Sequence, residues 1–122
     1  PSHDFRVVIG AGGSSCTQPY SASVFNISAM SFGSLSPNAI RALNRGAQMG
    51  GFAHDTGEGS ISAYHRENGG DLIWEIGSGY FGCRNVDGSF SRERFRENAA
   101  FDAVKMPVPE PRSSREPIGS AD

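Results

Sequence analysis

Three short glycine-containing loops carry the residues that could do chemistry. The first is Ser31-Phe32-Gly33-Ser34, the second is Asp55-Thr56-Gly57-Glu58-Gly59, and the third centres on Ser78-Gly79. Each follows a short apolar run, and glycine clusters between such runs are typical of tight loops at strand ends. Glu58 in the second loop can accept hydrogen bonds from backbone N–H groups or face a bound molecule. A solvent-exposed or helix-capping carboxylate is the alternative at this position.

The elements that must position these loops alternate between strand and helix patterns. Val24–Met30 predicts a buried strand, and Ser36-Pro37 supplies an N-cap hydroxyl followed by proline at the first helical position. The helix is predicted to continue to Gly50-Gly51, where the two glycines end it. Its periodicity predicts an apolar side at Ala39, Ile40, Leu43 and Ala47, with Met49 as a further candidate, and a polar side at Asn38, Arg41, Asn44, Arg45 and Gln48.

Further strand and helix signals follow the second loop. Phe52–His54 is a very short apolar stretch, Leu72–Ile76 predicts a strand, and Val104–Met106 predicts the opening of another. Ser91 is a suitable N-cap for a helix over residues 92–100. Alternating strands and helices, with glycines at the strand ends, predict a parallel sheet or barrel.

Two other kinds of binding site are disfavoured by the sequence. Residues 8–15 resemble the start of a dinucleotide fingerprint, but Ser15 replaces the third glycine and Pro19 follows closely, so no helix opens there. A loop leading into the main domain is predicted instead. Cys16 and Cys83 are expected to be free thiols in a cytoplasmic protein, and the histidines have no metal-ligand spacing with them. No metal site is therefore predicted.

Composition excludes some classes of partner. The chain has 122 residues and a formal net charge of -2, which gives no electrostatic reason to expect nucleic acid or anionic membrane as a partner. No run approaches the roughly 20 apolar residues of a membrane span, and the first residues lack a signal-peptide pattern. A cytoplasmic location is the expectation.

The last sixteen residues differ in character from the rest. Four of the seven prolines lie between residues 107 and 117. Proline at alternate positions removes the donors of a strand ladder, so the last strand is predicted to end at Met106. A disordered or polyproline-like tail is predicted over residues 107–122.

Three segments in this order resemble the FMN-binding synthase domain of the glutamate synthase family. They are residues 26–36 (Asn-Ile-Ser-Ala-Met-Ser-Phe-Gly-Ser-Leu-Ser), residues 55–59 (Asp-Thr-Gly-Glu-Gly) and residues 76–82 (Ile-Gly-Ser-Gly-Tyr-Phe-Gly). The resemblance is closer to the stand-alone bacterial and archaeal branch, and it covers the chain from about Phe5 to Met106. A Thr-Gly-Glu-Gly string alone is a weak signal, whereas the ordered set of three is specific.

The resemblance implies an α/β fold that is the N-terminal part of an FMN-binding TIM (β/α)8 barrel. The barrel is incomplete here, because a whole one usually needs about 250 residues. The implied division is a lead-in over residues 1–22, the first β/α units over residues 23–106 and the tail over residues 107–122. The implied reaction of the parent enzyme is hydride transfer from reduced FMN to 2-iminoglutarate, which forms from 2-oxoglutarate and ammonia or glutamine nitrogen, to give L-glutamate. Ferredoxin and an NAD(P)H-linked subunit are the alternative electron donors.

The resemblance also implies site residues, and Glu58 is the catalytic candidate. The implied FMN-binding residues are Ala29, Met30, Ser31, Thr56, Gly57, Ser78 and Gly79. Ordinary strand-end and turn roles are the alternatives for them. The FMN-phosphate glycines of the family have no counterpart here, and neither Cys16 nor Cys83 matches an iron–sulfur ligand, so a cluster is not expected.

Other functions remain open from the sequence alone. Another FMN-dependent barrel oxidoreductase or isomerase is one alternative, although the Asp-Thr-Gly-Glu-Gly loop favours glutamate synthase. A non-catalytic truncated remnant, or an interaction module that uses the proline-rich tail, is another. A reading-frame shift after Met106 is a further explanation of that tail. With roughly three of eight strands and an open sheet edge, the chain is expected to be inactive alone.

Overall fold

The computed structural model describes residues 5–13 and 15–109. These residues form two separate sheets, an antiparallel pair near the N-terminus and a three-stranded parallel sheet with helices in its connections. The elements in chain order are β1 (Arg6–Ile9), β2 (Tyr20–Ser23), α1 (Pro37–Gly50), β3 (Ala53–Asp55), α2 (Ala63–Arg66), β4 (Asp71–Ile76), α3 (Arg92–Ala99) and β5 (Val104–Pro109).

The parallel sheet has the order β3-β4-β5, so strands that are consecutive along the chain are neighbours in space. In the register, Ala53 lies opposite Asp71, and Leu72 lies opposite Val104. A parallel connection needs a crossover, which α2 supplies between β3 and β4 and α3 supplies between β4 and β5. The predicted strands at 72–76 and 104–106 are confirmed.

The segment at Val24–Met30, which the sequence predicts as a buried strand, is not one. It makes a single parallel bridge between Ile27 and His54 of β3. The Ile27 amide donates to the Ala53 carbonyl at 2.8 Å, and the Asp55 amide donates to the Ile27 carbonyl at 3.1 Å. Phe25 is 62% exposed, so the apolar residues at the start of this run face outward. The prediction failed because apolar content alone does not provide a partner strand.

Helix α1 begins and ends where the sequence predicts. The Ser36 side chain accepts a hydrogen bond from the Ala39 amide at 3.2 Å, and Pro37 occupies the first helical position. Gly51 ends the helix in the left-handed region at φ 68°. Such a residue is most easily glycine, because a Cβ is disfavoured there.

Two residues of α1 lie on the side opposite to the prediction, and one of them is Met49, a candidate for the apolar side that is 74% exposed. Asn44, which periodicity places among the polar residues, is fully buried together with Ile40 and Ala47. Its side-chain oxygen accepts from the Gly70 amide at 3.1 Å, and its amide nitrogen lies 3.3 Å from Nδ1 of His54. Burial is tolerated because both ends of the amide have partners.

The apolar core lies between the sheet and α3. Leu72, Trp74, Cys83 and Val104 are buried there together. The Trp74 ring stacks on Phe95 of α3 with centroids 5.6 Å apart. Burying an aromatic side chain of this kind contributes roughly 2–3 kcal/mol. The α3 helix therefore closes the crossover against β4, and its cap at Ser91 is as predicted.

The N-terminal segment forms a hairpin where a loop was expected. Arg6–Ile9 pairs antiparallel with Tyr20–Ser23. No helix follows β1 before β2 in the described residues, which removes the structural context that a dinucleotide fingerprint requires.

Strand β5 continues through Pro107 to Pro109, beyond the predicted end at Met106. It pairs with β4 on one side and lies at the edge of the described sheet. An edge strand tolerates prolines whose missing N–H groups face the free side. The predicted end at Met106 was wrong because it considered only a central strand, whereas β5 lies at the edge of the described sheet. Residues 110–122 of the predicted tail lie outside the described residues. No helix among those described is long and apolar enough to cross a membrane.

Candidate functional site

A pocket of about 310 Å³ lies where two of the three predicted loops meet beside the carboxyl end of β4. Its walls combine residues of the first loop region, of the loop after β3 and of β4 itself. The lining residues are Ala29, Met30, Ser31, Ser34, Leu35, Gly57, Glu58 and Glu75. Five of them, Ala29, Met30, Ser31, Gly57 and Glu58, are residues that the resemblance singles out.

The two loops touch backbone to backbone at Gly57. This glycine has φ 69°, and a Cβ added to it would lie 2.6 Å from the Ser31 nitrogen and 3.1 Å from the Met30 carbonyl carbon. Both features exclude a side chain, since left-handed backbone and close approach each favour glycine. The absence of a side chain at Gly57 therefore lets the loops share one wall.

The backbone donors of the first loop are unengaged. None of the described residues accepts a hydrogen bond from the amides of Ala29, Met30 or Ser31. The loop is held instead by its own turn, in which the Ser34 amide donates to the Ser31 carbonyl at 3.2 Å. The Ser31 and Ser34 hydroxyls are 3.1 Å apart. The lining residues of the first loop thus carry N–H groups without a hydrogen-bond partner among the described residues, and two small hydroxyls.

Glu58 extends over Gly77, the first residue after β4. A Cβ on Gly77 would lie 2.5 Å from Oε1 of Glu58. The Glu58 carboxylate makes no hydrogen bond to any described residue. The alternative in which this carboxylate holds a loop through backbone N–H groups therefore has no support in the geometry. The carboxylate is available at the pocket wall.

Thr56 lies beneath the pocket and not on its wall. Its amide donates to the Ile73 carbonyl at 2.9 Å, and its hydroxyl donates to the Gly57 carbonyl at 3.0 Å. The same hydroxyl accepts from the Glu75 amide at 3.2 Å. Thr56 is fully buried, so it ties the loop after β3 to β4 and does not reach a ligand in this pocket.

Ser78 and Gly79 are likewise absent from the pocket lining. They sit in a turn that the Tyr80 amide closes by donating to the Gly77 carbonyl at 3.0 Å. Phe81 covers the face of Gly79. The turn role that the sequence left as an alternative is the one that the geometry shows for these two residues.

The pocket also contains residues that the sequence did not single out, namely Ser34, Leu35 and Glu75. Glu75 had a readable signal, because it is a carboxylate near the end of an otherwise apolar strand, Leu72-Ile73-Trp74-Glu75-Ile76. Alternation along β4 places it on the face opposite to Trp74. Leu35 had no such signal.

A buried polar cluster underlies the two loops. His54 and His65 are fully buried with ring centroids 5.2 Å apart, and Asn44 contacts His54. Burial, followed by the neighbouring His65, lowers the pKa of His54 to about 4. Burial also lowers the pKa of His65. Both rings are therefore neutral near pH 7.

A larger cavity of about 780 Å³ lies at the opposite, amino-terminal end of β4 and β5. Three of its polar side chains are already paired: the Tyr20 hydroxyl donates to Asp71 at 2.7 Å, and Arg6 donates to the carbonyls of Ser21 and Gly51. Burial and then the Asp71 carboxylate raise the pKa of Tyr20 to about 12. Because ligands of parallel α/β folds bind at the carboxyl ends of strands, the smaller pocket is the better candidate despite its size.

No group of three or more metal-ligating side chains occurs within residues 5–13 and 15–109. Cys16 is exposed, Cys83 is buried, and both are free.

Comparison with known proteins assigns the chain to a family. The family described as "Conserved region in glutamate synthase" matches residues 14–105. The chain is 42% identical over 96 residues to the "Glutamate synthase large subunit-like protein YerD" of Bacillus subtilis (strain 168), a match that covers 77% of this chain and 18% of that protein. No solved structure matches the chain. The match of 92 residues includes the loops that form the pocket, and it confirms the resemblance: the chain belongs to the glutamate synthase family.

Proposed function

We propose that this chain supplies the flavin- and substrate-facing loops of an FMN-dependent glutamate synthase. The observation that carries the proposal is the convergence of Met30–Ser31, Gly57 and Glu58 on one pocket, with unengaged amides and an unengaged carboxylate. Ligand sites in proteins are concave and contain a few convergent polar groups, and this strand-end pocket has both features.

The proposed fold is the first part of a TIM barrel. In support, the bridge at Ile27, then β3, β4 and β5 lie side by side in chain order and run parallel. Helices α1, α2 and α3 fill the three connections between them. That sequential order is the arrangement of a barrel wall, and active sites of barrels lie at the carboxyl ends of the strands.

The pocket residues fit the ring system of a flavin better than its phosphate. Small side chains at Ala29 and Ser31 leave room for a flat ring, and the free amides at residues 29–31 can donate to its carbonyl and nitrogen acceptors. Neither arginine nor lysine occurs among the lining residues, and Glu58 and Glu75 are both acidic. A phosphate would be repelled there, so its binding groups must come from elsewhere in the protein.

FMN, when bound and reduced, supplies the hydride that converts 2-iminoglutarate to L-glutamate. The part of Glu58 is to stabilise the positive charge of the iminium nitrogen, because a carboxylate at the pocket wall favours a cation there. The Gly57–Ser31 contact fixes the distance between the carboxylate-bearing loop and the loop under the ring. The substrate carboxylates need cations that the lining residues do not include, so the rest of the protein must supply them.

A substitution in the complete gene product that contains this sequence tests the proposal. Glu58→Gln keeps the size of the side chain and removes its charge. We expect FMN binding to remain, and 2-oxoglutarate- and ammonia-dependent oxidation of reduced flavin to fall by roughly 100-fold or more. Chemically reduced flavin, reduced ferredoxin and NAD(P)H are supplied in separate assays. A loss of substrate reduction is then distinguished from the lack of a suitable electron donor.

The matched control is Glu97→Gln, which removes an exposed carboxylate on α3 outside the pocket. It should leave both binding and turnover at the level of the unmodified protein. Tight FMN binding without any 2-oxoglutarate-dependent turnover in the unmodified protein would instead favour another FMN-dependent barrel reaction. Absence of FMN binding would reject the proposal.

A further inference from the structure

The hydroxyl of Thr56 joins the backbones of two pocket residues. It donates to the Gly57 carbonyl at 3.0 Å and accepts from the Glu75 amide at 3.2 Å. Neither direction can reverse, because a carbonyl only accepts and a backbone N–H only donates. A hydroxyl has one donor and two acceptor positions, so Thr56 serves both partners at once. The loop after β3 and the end of β4 are therefore connected through this one oxygen atom.

The contact with Thr56 also orients the peptide that leads into Glu58. The Gly57 carbonyl is directed at a hydroxyl that is fully buried. The C=O and N–H groups of a trans peptide point in opposite directions, and no peptide bond among the described residues is cis. The Glu58 amide therefore points away from Thr56. None of the described residues accepts a hydrogen bond from it.

The peptide that precedes Gly57 is held as well. The Gly57 amide donates to Oδ1 of Asp55 at 2.9 Å, and the Thr56 amide donates to the Ile73 carbonyl at 2.9 Å. Both peptides that flank Gly57 are thus bonded to the side chain of a residue just before it. Of these two side-chain contacts, the one made by Thr56 extends to β4.

The position of the Glu58 carboxylate depends on how the loop is joined to β4. A Cβ on Gly77 would lie 2.5 Å from Oε1 of Glu58 and 3.1 Å from its Cγ, so the Glu58 side chain lies against the end of β4. Its backbone, however, belongs to the loop after β3. Thr56 and Glu75, whose contact joins the two segments, come two residues before Glu58 and Gly77, respectively. A change in this contact should displace the carboxylate relative to β4.

We propose that Thr56 is a positioning residue, whose hydroxyl holds the Gly57–Glu58 peptide to the end of β4 and so sets the Glu58 carboxylate at the pocket wall. The inference deepens the proposed function, on which its catalytic part depends. Thr56 is not among the lining residues and touches no ligand there. Its effect on the reaction passes through Glu58.

Two variants of the complete gene product separate the hydroxyl from the packing. Thr56→Val keeps the shape of the side chain without the hydroxyl, whereas Thr56→Ser keeps the hydroxyl. We expect Thr56→Val to lower kcat for 2-oxoglutarate- and ammonia-dependent oxidation of reduced flavin by about tenfold, with FMN affinity changed by less than about threefold. Thr56→Ser should stay within about threefold of the unmodified kcat. The matched control is Thr17→Val, the same change at an exposed threonine outside the pocket, which should leave kcat unaltered.

A double variant tests whether the effect passes through Glu58. If it does, Thr56→Val should change kcat by less than about twofold when Glu58→Gln is already present. A tenfold loss in both backgrounds would show a general structural role and overturn the proposal. An unchanged kcat in folded Thr56→Val would also overturn it. So would a Thr56→Ser protein as impaired as Thr56→Val.

If Thr56→Val does not fold, two amides of the unmodified, FMN-free protein decide. The chain contains one Trp-Glu pair, Trp74-Glu75, and one Gly-Glu pair, Gly57-Glu58, so ¹⁵N glutamate with carbonyl-¹³C tryptophan or glycine labels each peptide selectively. Further such pairs in the complete protein are distinguished by the signals that Glu75→Gln and Glu58→Gln remove. The Glu75 amide should exchange its hydrogen at least about tenfold more slowly than the Glu58 amide. Equal or faster exchange would overturn the proposal.

Failure of the proposed function gives a different result. The unmodified protein would then show no 2-oxoglutarate-dependent turnover. The Gly57–Glu58 signal still decides the role of Thr56 in that case. It should be displaced in Thr56→Val and return to near its unmodified position in Thr56→Ser, and an undisplaced signal in Thr56→Val would overturn the proposal.

Discussion

Gly57 and Gly51 show how much one side chain matters at the residue scale. Their φ angles are 69° and 68°, so alanine would be equally strained at either position. They differ in surroundings, because a Cβ at Gly57 meets Ser31 and Met30 at about 3 Å or less, and a Cβ at Gly51 meets nothing within 4 Å. The pair therefore separates backbone strain from steric collision.

We predict that Gly51→Ala lowers the free energy of unfolding by about 1 kcal/mol, which is the strain of a left-handed alanine. Gly57→Ala should lower it by about 2–4 kcal/mol, since the loops must also move apart. Urea denaturation of both variants measures the difference. Equal losses would show that the contact between the two loops is not tight. FMN binding by the complete gene product should weaken in Gly57→Ala alone.

His54 predicts a pH dependence of stability at the same scale. Its pKa is about 4 in the folded protein, compared with an ordinary value of 6.5, so the folded state favours the neutral ring. The stabilisation is complete above pH 6.5 and is lost as the pH falls from 6.5 toward 4, by on the order of 3 kcal/mol at most. Denaturation at pH 7, 6 and 5 measures the upper part of this window. Most carboxylates titrate at lower pH and therefore contribute little to the change.

The non-titrating variant His54→Asn is the comparison, because its side-chain oxygen can take the place of Nδ1 beside Asn44. It is expected to be less stable at pH 7 and to lose less stability between pH 7 and 5. A residual slope is expected from His65, whose pKa burial also lowers. Identical slopes in the two proteins would contradict the assignment to His54.

At the scale of elements, β5 shows how a proline-rich strand can lie at the edge of the described sheet. The nitrogens of Pro107 and Pro109 point to the same side, because N–H directions alternate along a strand. The ladder with β4 continues to Pro109, so its donors from β5 must be Met106 and Val108. The open side consequently lacks two donors, which discourages pairing with another chain.

Restoring those two N–H donors should allow another strand to pair with the open side of β5. We predict that the double variant Pro107→Val/Pro109→Val increases self-association, and that Val108→Thr, which leaves both prolines, does not. Sedimentation velocity over a range of protein concentrations measures the change. A double variant that stays as monomeric as the unmodified chain would show that the prolines do not protect this edge.

The elements were predictable to the extent that their signals are local. The Ser36-Pro37 start, the Gly51 end, the apolar strand 72–76 and the Ser91 cap act within a few residues of themselves, and all appear in the structure. The hairpin of β1 and β2 and the short helix α2 were missed. Pairing with a distant strand and packing of a four-residue helix leave little trace in the local pattern.

At the scale of the whole molecule, the proposed function assigns to this pocket the ring of FMN and not its phosphate. Its lining provides small side chains and backbone donors for a ring, together with two carboxylates and neither lysine nor arginine. The chain spans 18% of the length of the relative that it matches. Affinity for a phosphate must come from groups outside this lining.

We therefore predict that the 122-residue chain distinguishes poorly between FMN and riboflavin. Both should bind weakly, with dissociation constants within about threefold of each other. The complete gene product should prefer FMN by at least about tenfold, because charge-assisted hydrogen bonds to phosphate add to the ring contacts. Quenching of flavin fluorescence measures both affinities. Tight, FMN-selective binding by the 122-residue chain would contradict the proposal that the phosphate-binding groups lie outside this chain.

The sequence by itself determined the family, the helix α1 with its ends, the strand β4 and the loops at which a site should be sought. These features depend on residue types at fixed local spacing. Helix capping, the fixed geometry of proline and hydrophobic periodicity all act over such short distances along the chain. Only the tertiary structure decided which loop residues share a pocket. It placed Glu75 in the same pocket lining as Glu58, and it left Thr56, Ser78 and Gly79 out of that lining. Those outcomes depend on contacts between segments far apart in the chain, such as Gly57 against Ser31, which no local pattern encodes.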